Sequence, residues 1–308
     1  MGWTPADLPD LHGRRAIVTG ANSGIGYHTA LELARHGAEV TLACRRAGRA
    51  AAARDRMCRE VPDADVRVAE LDLSRLDSVR TFATAWAGPL NLLVNNAGVY
   101  APMRRAVTAD GFERQMGTNH LGHFALTGRL LPAMLATPAP RVVTVASLAH
   151  HGASLDRDDL QSLAGYGPQR SYGKSKLANL LFALELQRRA AAVGSALTST
   201  AAHPGLASTA LTTNRDGLGG FLPLRLMAPL VVRVISQSAA AGAVPTLYAA
   251  IEAAPGTYTG PQSLRQTRGA PGPATMSRAA RDRELASQLW RLSEELTGVG
   301  FEWPPARH

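Results

Sequence analysis

A short apolar run that breaks into glycines and then into a helix constrains this chain more than any other feature. Ala16-Ile17-Val18 reads as a strand, and Thr19-Gly20-Ala21-Asn22-Ser23-Gly24-Ile25-Gly26 reads as a turn. The stretch 27–36 then has helical spacing, with Ala30, Leu31, Leu33 and Ala34 apolar. The alternation recurs along the chain. Strands are predicted at 39–43, 66–71, 90–94, 141–146 and 196–202, with a short seventh at 257–258. Helices are predicted at 48–60, 76–86, 112–135, 171–192 and 242–252. Strands alternating with helices of this length imply an α/β protein: a doubly wound parallel sheet of about seven strands, with helices on both faces. No internal repeat or Pro/Gly/Ser-rich linker cuts the chain, so residues 1–308 are expected to form a single dinucleotide-binding catalytic domain. Residues 271–273 read as loop. A terminal amphipathic helix is expected at about 278–296, with Leu285, Leu289, Trp290 and Leu292 as its apolar stripe.

Composition excludes several classes. No run approaches the roughly 18 apolar residues of a spanning helix. The first ten residues lack the basic-then-apolar pattern of a secretory signal. The chain opens Met-Gly, but Ala6 stands where a myristoylation signal needs Ser or Thr. Two cysteines, Cys44 and Cys58, give neither a disulfide framework nor metal-ligand spacing. A soluble, cytoplasmic protein without a metal is the expectation. The net charge of +9 raises nucleic acid as a partner, but the arginines are scattered and aromatics are only 5%, so no nucleic-acid surface is expected.

The glycine turn follows a strand and opens a helix. Glycines there let backbone N–H groups approach a pyrophosphate, and the helix N-terminus adds partial positive charge. The spacing G-x-x-x-G-x-G is weak evidence alone and gains force from its strand–helix setting. A second feature lies far along the chain. Of 33 lysines and arginines only two are lysine, Lys174 and Lys176, both inside Ser171-Tyr172-Gly173-Lys174-Ser175-Lys176. A chain that otherwise uses arginine and writes lysine here points to a need for compact ammonium groups. Tyr172 and Lys176 are four apart and share a helix face. An ammonium there should lower the tyrosine pKa toward working pH and make Tyr172 a general acid. Taken alone, the same pair reads as an exposed helix face.

The combination of Thr19 to Gly26, Asn95-Asn96-Ala97-Gly98, Ser147 after the fifth strand, Tyr172 with Lys176, and Pro204-Gly205 resembles the short-chain dehydrogenase/reductase family in order and spacing. The runs Met116-Gly117-Thr118-Asn119-His120-Leu121-Gly122-His123-Phe124 and Leu289 to Leu296 resemble the branch holding retinol dehydrogenases and their bacterial relatives. The membrane-bound vertebrate members of that branch carry an N-terminal apolar anchor; none is expected here. The resemblance implies a Rossmann-type sheet and an oxidoreductase that moves a hydride between a nicotinamide cofactor and a carbonyl or alcohol. It implies Asn119, Ser147, Tyr172 and Lys176 as the catalytic set. Ser147 would donate a hydrogen bond to the substrate oxygen, Lys176 would also bond the nicotinamide ribose, and Asn119 would hold a water that links Lys176 to solvent. It places Gly20, Asn22, Ser23, Gly24, Ile25, Gly26, Asp72, Leu73, Asn95, Ala97, Gly98, Pro204 and Gly205 on the cofactor, with Asp72, Leu73 and Asn95 at the adenine edge. Members that use NAD generally carry an acid near the end of the second strand. This chain ends that strand Ala43-Cys44-Arg45-Arg46, so Arg45 is expected to grip a 2′-phosphate and the cofactor to be NADP(H).

Residues 206–238 form an apolar, glycine- and proline-interrupted segment after the sixth strand, containing Leu218, Phe221, Leu222, Leu224, Met227 and Leu230. It reads as a substrate lid that suits a small lipophilic aldehyde or ketone; core packing and a homo-oligomer interface are the alternatives. His150 and His151 are expected near the substrate mouth, and His120, His123 and His203 as packing or capping residues. A Ser/His hydrolase is disfavoured by the absence of a G-x-S-x-G elbow. The other function class left open is a non-catalytic NADP-binding sensor on the same fold.

Overall fold

The computed structural model describes residues 2–100, 103–206 and 237–303. In chain order the principal elements begin with β1 (Arg15–Thr19), α1 (Gly24–Arg35), β2 (Glu39–Cys44), α2 (Ala47–Glu60), β3 (Val66–Glu70), α3 (Leu76–Ala85) and β4 (Leu92–Asn95). They continue with a short helix, α4 (Arg114–Met116), then a π turn (Gly117–Leu121) that runs into α5 (Gly122–Leu135). The chain then forms β5 (Arg141–Val145), α6 (Pro168–Ala192), β6 (Thr198–Ala202), α7 (Ala239–Ile251), β7 (Tyr258–Ser263), β8 (Arg268–Pro273) and α8 (Arg283–Thr297).

The sheet has eight strands in the order β3-β2-β1-β4-β5-β6-β7-β8. All neighbours from β3 to β7 pair parallel, and β7 pairs antiparallel with β8. The expected doubly wound parallel sheet is therefore present, with one strand more than expected. Residues 271–273, read from the sequence as loop, lie in β8. Pro271 and Pro273 suggest a loop because proline cannot donate to a ladder, but β8 is an edge strand and needs only one bonded side. Side chains alternate across the strands, so Ala16 and Val18 join one core layer and Ile17 the other. One layer holds α1, α2 and α7 against the sheet; the other holds α3, α5, α6 and α8.

Element ends follow local chemistry. Pro168 occupies the first turn of α6, where its missing N–H costs nothing, and so the helix starts three residues before the predicted 171. The terminal helix was expected from 278. Asp282 accepts Leu285 N–H at 3.0 Å and starts α8 there, after a separate single turn at Ala279–Arg281. Gly298 ends α8 in the left-handed region at φ 63°. The predicted continuous helix over 112–135 is broken by the π turn, a common device where a helix carries functional groups.

The apolar stripe of α8 completes the second core layer. Trp290 stacks on Phe182 at 5.8 Å and meets Phe124 and Phe301 edge-on or tilted at 5.1 and 4.4 Å. Arg189, itself paired with the buried Glu185, lies over the Trp290 ring at 4.4 Å. Truncating this indole removes a large buried surface in rigid surroundings. Trp290→Ala should lower unfolding free energy by about 3–5 kcal/mol, read from urea denaturation; a loss near zero would show that α8 is not part of the cooperative core.

Candidate active site

The candidate site lies at the carboxyl ends of the strands, at the junction of β1 and β4. β1 ends at Thr19, and Gly20 turns the chain at φ 67°. A side chain at Gly20 would press on Ala97 Cα at 3.0 Å. One at Gly26 would meet Asn96 Nδ2 at 2.4 Å and Gly20 O at 2.8 Å. These glycines hold the turn flat against the end of β4. Ser23 precedes α1 in extended backbone, and its side chain makes no capping bond. The first N–H groups of α1 are thus open to an anion, as the pyrophosphate of a dinucleotide requires. A cradle that any Cβ would fill and an uncapped helix start fit such a cofactor.

Thr19 ties the two strands. Its hydroxyl oxygen accepts the N–H groups of Asn96 and Ala97, each at 2.9 Å, and Asn96 Nδ2 donates to Thr19 O at 2.7 Å. The hydroxyl also lies 2.9 Å from His123 Nε2. His123 Nδ1 lies 2.9 Å from the Asn119 carbonyl, which can only accept, so Nδ1 carries the proton and Thr19 donates to Nε2. Burial lowers the His123 pKa to about 4, opposed by the bond to Asn119 O and aided by the nearby Lys176 charge, consistent with a neutral ring. The glycine turn and the π turn are therefore joined by one buried imidazole.

Asn119 stands in the π turn, fully buried. Its Oδ1 accepts Val99 N–H at 2.7 Å, and its Nδ2 donates to Val99 O at 3.0 Å and to Ser175 Oγ at 2.9 Å. Lys176 projects from α6 to the same place: a Cβ added to Gly98 would stand 3.5 Å from Lys176 Nζ and 3.6 Å from Asn119 Oδ1. Lys176 Nζ donates to Val145 O at 3.0 Å, and burial pulls its pKa down to about 8. Ser147 follows β5 and accepts Ala149 N–H at 3.2 Å. Tyr172 shares the α6 face with Lys176, whose Nζ is 5.7 Å from the phenol ring centre. Tyr100 packs against Tyr172, its ring 5.4 Å away and tilted. Burial pushes the Tyr172 pKa up to about 12, and the Ser147 hydroxyl opposes the rise. Lys176 was expected to bring this pKa down. The geometry differs because the ammonium is itself desolvated and bonded to Val145 O.

A profile of the short chain dehydrogenase family matches residues 14–217. Retinol dehydrogenase 13 from Homo sapiens is 38% identical over 303 residues, spanning 96% of this chain and 88% of that protein. The chain belongs to the short-chain dehydrogenase family. Polyprenol dehydrogenase from Mus musculus is 40% identical over 97% of this chain and 88% of its own length. A crystal structure of an uncharacterised protein from Mycobacterium paratuberculosis superposes with a TM-score of 0.82 and is 43% identical, covering 98% of this chain and all of that one. This short-chain dehydrogenase is thus an oxidoreductase-family protein of retinol dehydrogenase-like sequence, and the family uses a nicotinamide cofactor.

The catalytic candidates of this dehydrogenase gather at the carboxyl ends of the strands, and the other residues singled out in the sequence divide. Arg45, just after β2, is exposed with no hydrogen bond or ion pair to the described residues, and with Asp72 lines a groove along β3 and α3 that holds none of Asn119, Ser147, Tyr172 and Lys176. Asp72 is held by Ser74, whose N–H and hydroxyl donate to it at 3.0 and 2.6 Å. Leu73 is buried against the start of α5, where a Cβ on Gly122 would strike its carbonyl. Gly205, after β6, has φ 65° and lies against Thr267 O. Asn95 departs from its expected place at the adenine edge. Its side chain is fully buried, and its Nδ2 donates to Thr127 on α5 at 3.0 Å. As the last residue of β4 it faces the helix layer, and its neighbour Asn96 meets the glycine turn. His150 is also buried rather than at a mouth: its Nδ1 bonds Ser147 O at 2.7 Å, while His151 is exposed. The polar links missed from the sequence are Thr19, Asn96, His123 and Ser175; all four sit inside the quoted motifs, where their linking roles went unread. Apart from Leu206, Gln237 and Ser238, the segment 206–238 lies outside the described residues. Among the described residues no cluster of three or more metal-ligating side chains occurs, and no helix is long and apolar enough to cross a membrane.

The glycine cradle makes a direct prediction. Gly26→Ala places a methyl against backbone, which cannot yield as a flexible side chain would. Dinucleotide affinity, measured by calorimetry, should fall at least about tenfold, roughly 1.4 kcal/mol, with the fold retained by circular dichroism. Unchanged affinity would remove the turn from the cofactor site.

Proposed function

We propose that this chain is an NADP(H)-dependent oxidoreductase that reduces a lipophilic aldehyde or ketone, or oxidises the matching alcohol, on a single catalytic domain. The observation that carries the reading is the convergence of Ser147, Tyr172, Lys176 and Asn119 beside the uncapped glycine turn. When bound, the cofactor supplies the hydride for the carbonyl carbon. Tyr172 gives its phenolic proton to the carbonyl oxygen as negative charge develops there, and Ser147 donates a hydrogen bond to the same oxygen. A pKa near 12 keeps Tyr172 protonated in neutral water, the state a proton donor needs before reduction. Lys176 spends one N–H on Val145 O, which leaves two donors for ribose hydroxyls. Its charge, on the Tyr172 side of α6, stabilises the phenolate that remains.

Arg45 supports the choice of NADP(H). It is an exposed guanidinium just after β2, unpaired among the described residues, where a carboxylate would favour the free 2′-hydroxyl. A lipophilic substrate is supported by the apolar composition of 206–238 and by the retinol and polyprenol named for two relatives.

Three outcomes test the reading. Tyr172→Phe should lose ~10²–10⁴-fold in turnover while binding NADPH nearly as wild type does. Near-normal turnover would remove Tyr172 from the chemistry. The pH profile of kcat/KM for reduction should fall as pH rises through about 8, because the Lys176 pKa is lowered and its ammonium is lost there. A profile flat through that range would contradict the role given to Lys176. Arg45→Asp should erase or invert the preference for NADPH over NADH, since the carboxylate repels a 2′-phosphate; an unchanged ratio would leave Arg45 without that role and direct the test to Arg46.

A further inference from the structure

The reaction uses one of the chain's two lysines and leaves Lys174 without a task. Lys174 lies between Tyr172 and Lys176 on α6, two residues from each, and so points away from the face they share. Its side chain is buried, with 6% of the residue exposed. Nζ donates to Asp159 O at 2.7 Å and to Ser162 Oγ at 2.9 Å. Ser162 is itself unusual. It is buried, it holds φ 53° without being glycine, and its hydroxyl lies 3.3 Å from that of Ser171 on α6. Such a conformation persists only where the surroundings impose it.

The segment held in this way is a junction. Asp159 carboxylate oxygens accept the N–H groups of Leu163 and Ala164 at 2.5 and 3.2 Å. Gln161 Oε1 accepts Glu113 N–H at 2.6 Å, and Gln161 O accepts from Arg105 Nε at 3.0 Å. Glu113 in turn caps α4 through Gln115 and Met116 N–H, at 3.0 and 2.9 Å, one turn before Asn119. Residues 159–162 thus join the segment after β4 to α6. They also lie on the stretch of chain between Ser147 and Tyr172, the two residues assigned to the carbonyl oxygen. A compact ammonium reaches two acceptors on a closely packed loop, where a planar guanidinium is larger and needs acceptors in its own plane.

We propose that Lys174 is a positioning residue: its ammonium clamps residues 159–162 onto α6 and so holds the wall of the substrate opening between Ser147 and Tyr172. This rests on the carbonyl-reductase reading of the site. It makes Lys174 a determinant of substrate fit rather than of cofactor binding or proton transfer, and it accounts for both lysines in a chain that otherwise uses arginine.

The test compares full-length wild type with Lys174→Met, Lys174→Arg and Ser162→Ala. Decanal with NADPH serves as substrate pair, NADPH affinity is measured by fluorescence, and amide hydrogen exchange is followed over 153–167. In Lys174→Met the KM for decanal should rise about tenfold or more with a much smaller change in kcat, the pattern of lost substrate fit. NADPH affinity should stay near wild type, and exchange over 153–167 should quicken. Lys174→Arg should not rescue these changes, and Ser162→Ala, which removes one acceptor and buries no charge, should shift both in the same direction by less. Unchanged KM or unchanged exchange in Lys174→Met overturns the proposal. So does a parallel loss of NADPH affinity and thermal stability, which would make Lys174 a general support of the fold. If Lys174→Met does not fold, Ser162→Ala decides by the same two readouts. Wild type that turns over neither decanal nor other aldehydes would count against the functional reading, while faster exchange confined to 153–167 in the variants would still support the clamp.

Discussion

Parallel pairing of β1 with β4 is the constraint on which the rest of the molecule depends. At that junction the winding reverses: β2 and β3 lie to one side, and β5 to β8 to the other. Connections leaving the two strands diverge to opposite faces, and a cleft opens at their carboxyl ends. Thr19 exploits the junction with a single hydroxyl, accepting two N–H groups from the end of β4 and donating to His123. His123 passes the order on to the Asn119 carbonyl in the π turn. The glycine turn and the polar centre on α6 are thereby linked by a short chain of buried bonds.

Burial sets the electrostatics of that centre. Lys176 and Tyr172 are each desolvated, and each moves toward its neutral form: the lysine down to about 8, the tyrosine up to about 12. His123 is likewise held neutral, near 4. Under the proposed function, the buried phenol would act as the proton donor and the ammonium, lowered to about 8, would face the developing phenolate.

Much of this was legible in the sequence because it rests on local periodicity. The alternation of strands and helices, the glycine turn and the Tyr172–Lys176 spacing are all short-range patterns, and the sheet and the cleft follow from them. What stayed hidden depends on contacts between distant segments. Nothing near Asn95 says that its side chain turns to Thr127 while Asn96 meets the turn. Nothing in the run around His123 says that its imidazole reaches back to Thr19, 104 residues earlier. The eighth strand was missed because its prolines obey the rule for interior strands only in the negative, and its edge position was not visible. The direction of the Tyr172 shift was misjudged because helix spacing reports proximity to an ammonium and carries no measure of burial.

The central claim is that hydride moves directly from a nicotinamide to a carbonyl carbon in this cleft. The most direct measurement uses NADPH carrying deuterium at both positions of nicotinamide C4, a lipophilic aldehyde, and mass spectrometry of the alcohol formed. The account predicts one deuterium on the carbinol carbon of every product molecule, in ordinary water. An alcohol that carries no deuterium there, or no alcohol from any carbonyl offered while the labelled cofactor remains bound and unoxidised, would contradict it.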